Sequence, residues 1–147
     1  MDSDDYIAEN YIEELYYEIK NKNTDISICG TIDIDENGKY INKSIGYENK
    51  INSSEALKEL LNEKYYKSVV WAKMYKKEVI ENIKFNENTI IAEDLEFLFK
   101  TICEANSVGV NTKKNIYYYR LRENSASTNE YNENWQKEIE ICKDIID

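Results

Sequence analysis

The sequence predicts an α/β domain, a mixed sheet with flanking helices, on three observations. Ile26, Ile28, Ile32 and Ile34 alternate with polar or small residues, the period of a strand. Ala8, Ile12, Leu15 and Ile19 recur at helical spacing, and Leu95, Leu98, Phe99 and Ile102 do so again. These patterns follow one another along 147 residues without an internal repeat or an interdomain linker, which is one domain's worth of chain.

Taken in order, the first helix is expected over about 6–20, its glutamates Glu9, Glu13, Glu14 and Glu18 largely opposite the apolar stripe. The Ile26–Ile34 strand then turns at Asn37-Gly38 into a return strand beginning at Tyr40-Ile41. Asp33, Asp35, Asn37 and Gly38 imitate the opening of a calcium-binding loop. The twelfth position is Ser44 where a bidentate Glu is needed, and a strand precedes it, so calcium is rejected there. Residues 44–52 form a polar connection, and Asn52 with Glu55 makes a capping box for a helix through Ala56, Leu57, Leu60 and Leu61. Val79, Ile80 and Ile83 suggest a further helical stretch. Val108 and Val110 indicate one short strand and residues 116–120 a second, with 111–115 turning between them. Trp135, Ile139, Cys142 and Ile146 outline a final helix after a polar loop.

Composition removes several function classes. The formal net charge is −10, so a nucleic-acid backbone has no basic face to bind. There is no histidine, which excludes a His-based triad and leaves Asp, Glu or Lys as any general base. Cys29, Cys103 and Cys142 match no zinc spacing and read as reduced, mostly buried thiols of a cytosolic protein. No apolar run reaches the length of a membrane span.

Four groups of residues could carry chemistry. Asp2-Ser3-Asp4-Asp5 crowds three carboxylates ahead of a helix, and either a cation or the helix N-terminus must absorb that charge. Glu93-Asp94 opens the Leu95–Ile102 helix, where the pair either complements the helix dipole or serves as base. Arg120 and Arg122, the only two arginines, project from one face of an extended backbone and suit either a diphosphate or surface ion pairs. Trp71 is a core anchor unless it borders a cleft.

Together these stretches resemble, in order and spacing, the second half of family 2 glycosyltransferases, enzymes of the GT-A fold. The residues carrying the resemblance are Asp2-Ser3-Asp4-Asp5-Tyr6-Ile7, Ile28-Cys29-Gly30 with Asp35-Glu36-Asn37-Gly38, Trp71 to Glu78, Glu93-Asp94-Leu95-Glu96-Phe97, and Tyr117 to Ser125. The resemblance implies a partial GT-A fold, a Rossmann-like nucleotide-diphospho-sugar transferase fold whose N-terminal nucleotide-binding half is absent. Residues 1–147 would then be the metal and acceptor half of a catalytic domain.

The resemblance also implies roles. Asp2 and Asp4 would hold Mg²⁺ or Mn²⁺, with Asp5 beside them. Asp94, with Glu93 adjacent, would be the catalytic base of a single displacement with inversion, acting near an ordinary carboxylate pKa. Arg120, Arg122 and Ser125 would bind the donor diphosphate, and Trp71 and Lys73 the acceptor or sugar. The partners implied are a nucleotide-sugar donor, a UDP-sugar first, and a carbohydrate or lipid-linked acceptor. The fragment is expected to be inactive alone, to self-associate through uncovered apolar faces, and to hold its acidic cluster poorly ordered for want of a preceding strand. The expected location is cytoplasmic, extending to the inner face of the membrane. A non-catalytic acidic α/β interaction module, and more distantly a nucleotidyltransferase, are the competing readings. The joint occurrence of Trp71-x-Lys73-x-Tyr75, Glu93-Asp94 and Tyr117-Tyr118-Tyr119-Arg120-x-Arg122 favours the transferase.

Overall fold

A computed structural model describes residues 2–87, 92–122 and Lys143. Ser125 and the predicted final helix lie outside the described residues. The elements of the described residues are β1 (Tyr6–Ile7), α1 (Tyr11–Asn21), β2 (Ile26–Ile34), β3 (Tyr40–Lys43), β4 (Glu48–Asn52), α2 (Ser53–Asn62), β5 (Lys73–Tyr75), α3 (Lys77–Ile80), α4 (Glu93–Glu104) and β6 (Ser107–Arg120).

The six strands among the described residues form one mixed sheet built on two long central strands. β2 and β6 run parallel, from Ile26 beside Val108 to Ile34 beside Arg120. Each outer position is shared by two short antiparallel strands. β5 pairs the start of β2 and β3 its end, while β4 pairs the start of β6 and β1 its end. The strand period of two sorts residues between the faces. Ile26, Ile28, Val108 and Val110 enter a core with Ala56 and Leu60 of α2 and Leu95, Leu98 and Ile102 of α4. On the opposite face Cys29 and Tyr117 pack with Tyr11 and Leu15 of α1. The Ser27 hydroxyl there donates to the Leu15 carbonyl at 2.9 Å.

Local signals account for several boundaries. The Asn52 side chain accepts from the Glu55 amide at 2.9 Å while Glu55 accepts from the Asn52 amide at 3.1 Å, the capping box expected at the start of α2. Asp35, the calcium imitation, spends one carboxylate oxygen on the Asn37 and Lys39 amides, at 2.9 and 2.8 Å, and closes the β2–β3 turn. Gly38 supplies the positive φ of +81° that this turn requires.

Other expectations give way to tertiary contacts. The first helix begins at Tyr11, because Tyr6 and Ile7 pair with Tyr118 and Tyr117 of β6. Its buried side is Tyr11, Leu15, Glu18 and Ile19, whereas Ile12 is 59% exposed. Glu18 is drawn inward by Asn111, whose amide donates to it at 2.9 Å, and by the Lys22 ammonium at 2.9 Å. The polar 44–52 connection contains a strand, β4. Cys29 is buried as expected, but Cys103 is exposed on α4.

The turn expected over 111–115 is a bulge inside a single strand, β6. The register passes from Cys29 beside Asn111 to Gly30 beside Asn115, so three residues loop out without ending the pairing. Gly30 makes room for this. A Cβ there would lie 2.6 Å from the Thr112 carbonyl oxygen and 2.6 Å from Asn115 Oδ1. Gly30→Ala is therefore expected to destabilise the fold by about 2 kcal/mol or more, because one of the two obstacles at 2.6 Å is backbone. Urea unfolding of the parent and variant measures the difference.

Candidate active site

The parallel strands β2 and β6 end side by side, and loops gather where they end, the usual location of ligand sites in such sheets. The acidic segment 2–5 lies here, fastened to β6. Asp5 is buried. One carboxylate oxygen accepts from the Tyr117 hydroxyl at 2.7 Å and the other from the Arg120 amide at 2.9 Å. The cluster expected to be poorly held is thus tethered, and the tether is Asp5 itself, not a preceding strand. Asp2 is exposed, and Asp4 Oδ2 pairs with Arg122 Nε at 2.8 Å.

The two arginines meet backbone and carboxylate groups of this same corner. Arg120 donates from Nε to the Asp4 carbonyl at 3.2 Å and from Nη1 to the carbonyls of Asp35 and Glu36 at 3.2 and 2.7 Å. It clamps the acidic segment to the β2–β3 turn. Arg122, beyond its contact with Asp4, has a side chain 55% exposed.

Asp94 stands in the first turn of α4, as expected, behind an Ala92 cap with φ of +66°. Its Oδ2 accepts from the Val70 amide at 3.0 Å. Burial raises its pKa, the Val70 hydrogen bond and Lys73 oppose the rise, and the charges of Glu93 and Asp2 add to it. The ordinary value expected from sequence is therefore corrected upward. The acidic segment and the start of α4 are linked through side chains: Asp5 holds the Tyr117 hydroxyl, and Val70, next to Trp71, holds Asp94.

Between them stands an aromatic stack. The half-buried Trp71 ring lies 4.7 Å from Tyr117 and 4.8 Å from Tyr119, nearly parallel to both. Lys67 sits 5.1 Å over Tyr119 and pairs with Asp33 at 3.0 Å. Sequence reasoning quoted Tyr117 and Tyr119 as part of the resemblance but gave them no role, although the period-two rule places alternate residues of Tyr117-Tyr118-Tyr119 on one face. The pairing of Asp33 with Lys67 carried no sequence signal, since 34 residues separate them.

Lys73 departs from expectation. It does not line an open surface: only 8% of the residue is exposed, and Nζ donates to the carbonyls of Val69, Lys67 and Trp71 at 2.5, 3.1 and 3.4 Å. Burial pushes its pKa down to about 7, against the pull of Cys29, Asp94 and Glu63.

The donor chemistry of the acidic segment suits a hard divalent cation, because carboxylate oxygens are the ligands such ions take. Among the described residues, however, no group of three or more His, Cys, Asp or Glu is arranged to hold a metal. Any cation would take much of its shell from water and substrate oxygens, as Mg²⁺ commonly does.

This sheet with its flanking helices is part of the fold seen in Staphylococcus aureus TarS 1-349 in complex with UDP-GlcNAc. The likeness has a TM-score of 0.71 over 99% of this chain and 40% of that one, at 22% identity, and is one of fold. In sequence the chain is similar to glycosyltransferases. It is 28% identical over 131 residues to the poly(ribitol-phosphate) beta-N-acetylglucosaminyltransferase TarP of Staphylococcus aureus, covering 88% of this chain and 38% of that protein. It is 27% identical over 135 residues to the glycosyltransferase GlyA of Streptococcus pneumoniae, covering 86% and 19% respectively. The chain thus spans less than half the length of either relative. No family model matches it. Among the described residues, no helix is long and apolar enough to cross a membrane.

The lowered pKa of Lys73 sets a direction for stability against pH. In the unfolded chain this lysine returns to its ordinary 10.5, so between about pH 7 and that value the unfolded state binds the extra proton. Stability should therefore rise with pH, by up to about 1.4 kcal/mol per unit from this group. Cys29, pushed up to about 12, the buried tyrosines Tyr11, Tyr66 and Tyr117 and the half-buried Tyr75, pushed up as well, reverse the trend above about pH 9. The urea midpoint is expected to climb from about pH 7 to about pH 8.5. Replacing Lys73 with Met should flatten that climb.

Proposed function

We propose that this chain is the metal-proximal and acceptor half of an inverting glycosyltransferase. It would act with a nucleotide-binding half to move a sugar from a nucleotide-diphosphate donor, a UDP-sugar first, to a hydroxyl of a saccharide, polymer or lipid-linked acceptor. The observation that carries the reading is the placement of Asp94, whose Oδ2 is fixed by the Val70 amide beside the Trp71 ring that stacks on Tyr117, the tyrosine that Asp5 holds. A half-buried carboxylate with a raised pKa stands at the start of a helix and feels the charge of Asp2. Similarity to TarP and GlyA, and the fold shared with a UDP-GlcNAc complex, support the same reading.

Asp94 would take the proton of the acceptor hydroxyl as that oxygen attacks the anomeric carbon. Its raised pKa makes it a stronger base than a solvated carboxylate. The Val70 amide on Oδ2 would orient the group and leave Oδ1 for the hydroxyl. Trp71, backed by Tyr117 and Tyr119, would offer an indole edge or face to the acceptor or sugar ring. Glu93 keeps the local charge negative and so supports the base.

Asp2 and Asp4 would hold Mg²⁺ or Mn²⁺, which when bound neutralises charge growing on the departing nucleotide diphosphate. Asp5 would act through its hydrogen bonds to Tyr117 and Arg120, keeping the segment against β6. Arg122 would turn from Asp4 toward the diphosphate, while Arg120 holds the corner together; Ser125 belongs to the same proposed subsite.

In the full-length protein, Asp94→Asn is expected to lower transfer by about 10²-fold or more while metal-dependent nucleotide binding stays intact. Transfer from a panel of nucleotide sugars in Mn²⁺, beside nucleotide titrations, measures both; retained transfer removes Asp94 as the base. Asp2→Asn combined with Asp4→Asn should instead weaken Mn²⁺-dependent nucleotide binding by about tenfold or more. An unchanged titration would refute the cation site.

A further inference from the structure

The surroundings of Lys73 suit a task other than touching a substrate. An ammonium carries three donors, and here they face three backbone carbonyls, those of Lys67, Val69 and Trp71. These are alternate carbonyls of one irregular segment, so the chain from Lys67 to Trp71 curves around the charge. Withdrawing an ammonium from water is costly, and a methionine of similar reach would fill the site at less expense. What methionine lacks is a set of donors able to fix three carbonyls at once.

The groups beside those carbonyls show what the arrangement controls. The Val70 amide, between two captured carbonyls, donates to Asp94 Oδ2 at 3.0 Å, and the Val70 carbonyl accepts from the Tyr75 hydroxyl at 2.9 Å. Ala72, at the end of the segment, has φ of +57°, a left-handed conformation that alanine adopts only under restraint. Its carbonyl accepts from the Cys29 amide at 3.1 Å. Trp71 is carried between these fixed points onto Tyr117 and Tyr119.

We infer that Lys73 is a positioning residue: its buried ammonium holds the 67–72 segment in the one shape that seats Trp71 on Tyr117 and Tyr119 and aims the Val70 amide at Asp94. Its importance for transfer rests on the glycosyltransferase reading, whereas the shape of the segment does not. One side chain would thus set both the aromatic shelf and the orientation of the base without contacting either ligand. Other charged or titratable groups felt by the ammonium are Cys29 on β2, Glu63 after α2 and Asp94 on α4, and the Tyr66 ring lies 5.5 Å away.

The test reads Trp71 directly. The chain has two tryptophans, so Trp135→Phe leaves Trp71 as the sole indole. In that background Lys73→Met and Lys73→Gln are compared with Lys73 at about pH 6, where the amine is protonated. Acrylamide quenching of Trp71 emission and its near-ultraviolet dichroism are the readouts, with urea unfolding confirming that each protein is folded. Lys73→Met should raise the quenching constant on the order of threefold and remove the dichroism of the stacked rings. Lys73→Gln, which keeps two donors, should fall between. If Lys73→Met does not fold, Lys73→Gln decides. Quenching and dichroism equal to the parent in either folded variant overturn the proposal. Because no transfer is measured, this outcome is separable from a failure of Asp94 as base.

Discussion

β2 can be buried along most of its length because β6 lies parallel beside it, and the remaining elements are arranged by that pair. Antiparallel neighbours could have been joined by a tight turn, but a parallel partner requires a crossover, and here the long connection between the strands includes α2 and α4. Those helices cover one face of the sheet while α1 covers the other. The pairing also aligns the ends of both strands, which brings Asp33, Asp35, Tyr117, Tyr119 and Arg120 into one corner from segments far apart in the chain.

The corner is held mainly by backbone groups gripped by side chains. Asp5 joins the amide of Arg120 to the hydroxyl of Tyr117. Arg120 gathers three carbonyls from two loops, and Lys73 gathers three more from a single loop. Irregular segments have no ladder to satisfy their polar groups, so charged side chains substitute for one. Several residues whose types suggest contact with ligand are therefore occupied in shaping the loops. Asp2, Asp94, Trp71 and Arg122 retain carboxylate, aromatic or guanidinium surface with which to meet one.

Local patterns were legible wherever a feature depends on neighbours in the chain. The Asn52–Glu55 box, the Asn37-Gly38 turn, the Ile26–Ile34 strand and the buried stripe of α4 all repeat or close within a few residues. Patterns failed where a distant partner outweighed them. Tyr6 and Ile7 read as helix until β6 offered a strand edge, and Glu18 read as solvent-facing until Asn111 and Lys22 satisfied it from other positions. Residues 111–115 read as a turn because the bulge has turn-like composition. Its continuation as one strand depends on the space left by Gly30, some eighty residues earlier in the chain.

The same division applies to the candidate site. The sequence by itself determined its vocabulary: a carboxylate pair opening α4, an acidic segment at the front, two arginines after an aromatic strand, and an order of motifs that resembles glycosyltransferases. Tertiary structure decided which of those groups face one another and which turn inward. Asp94 accepts from the Val70 amide, Trp71 rests on Tyr117 and Tyr119, and Lys73 is withdrawn from solvent to hold a loop. The physical reason is that residue type and spacing specify what a side chain can bond, whereas burial and the partner across the sheet specify what it does bond.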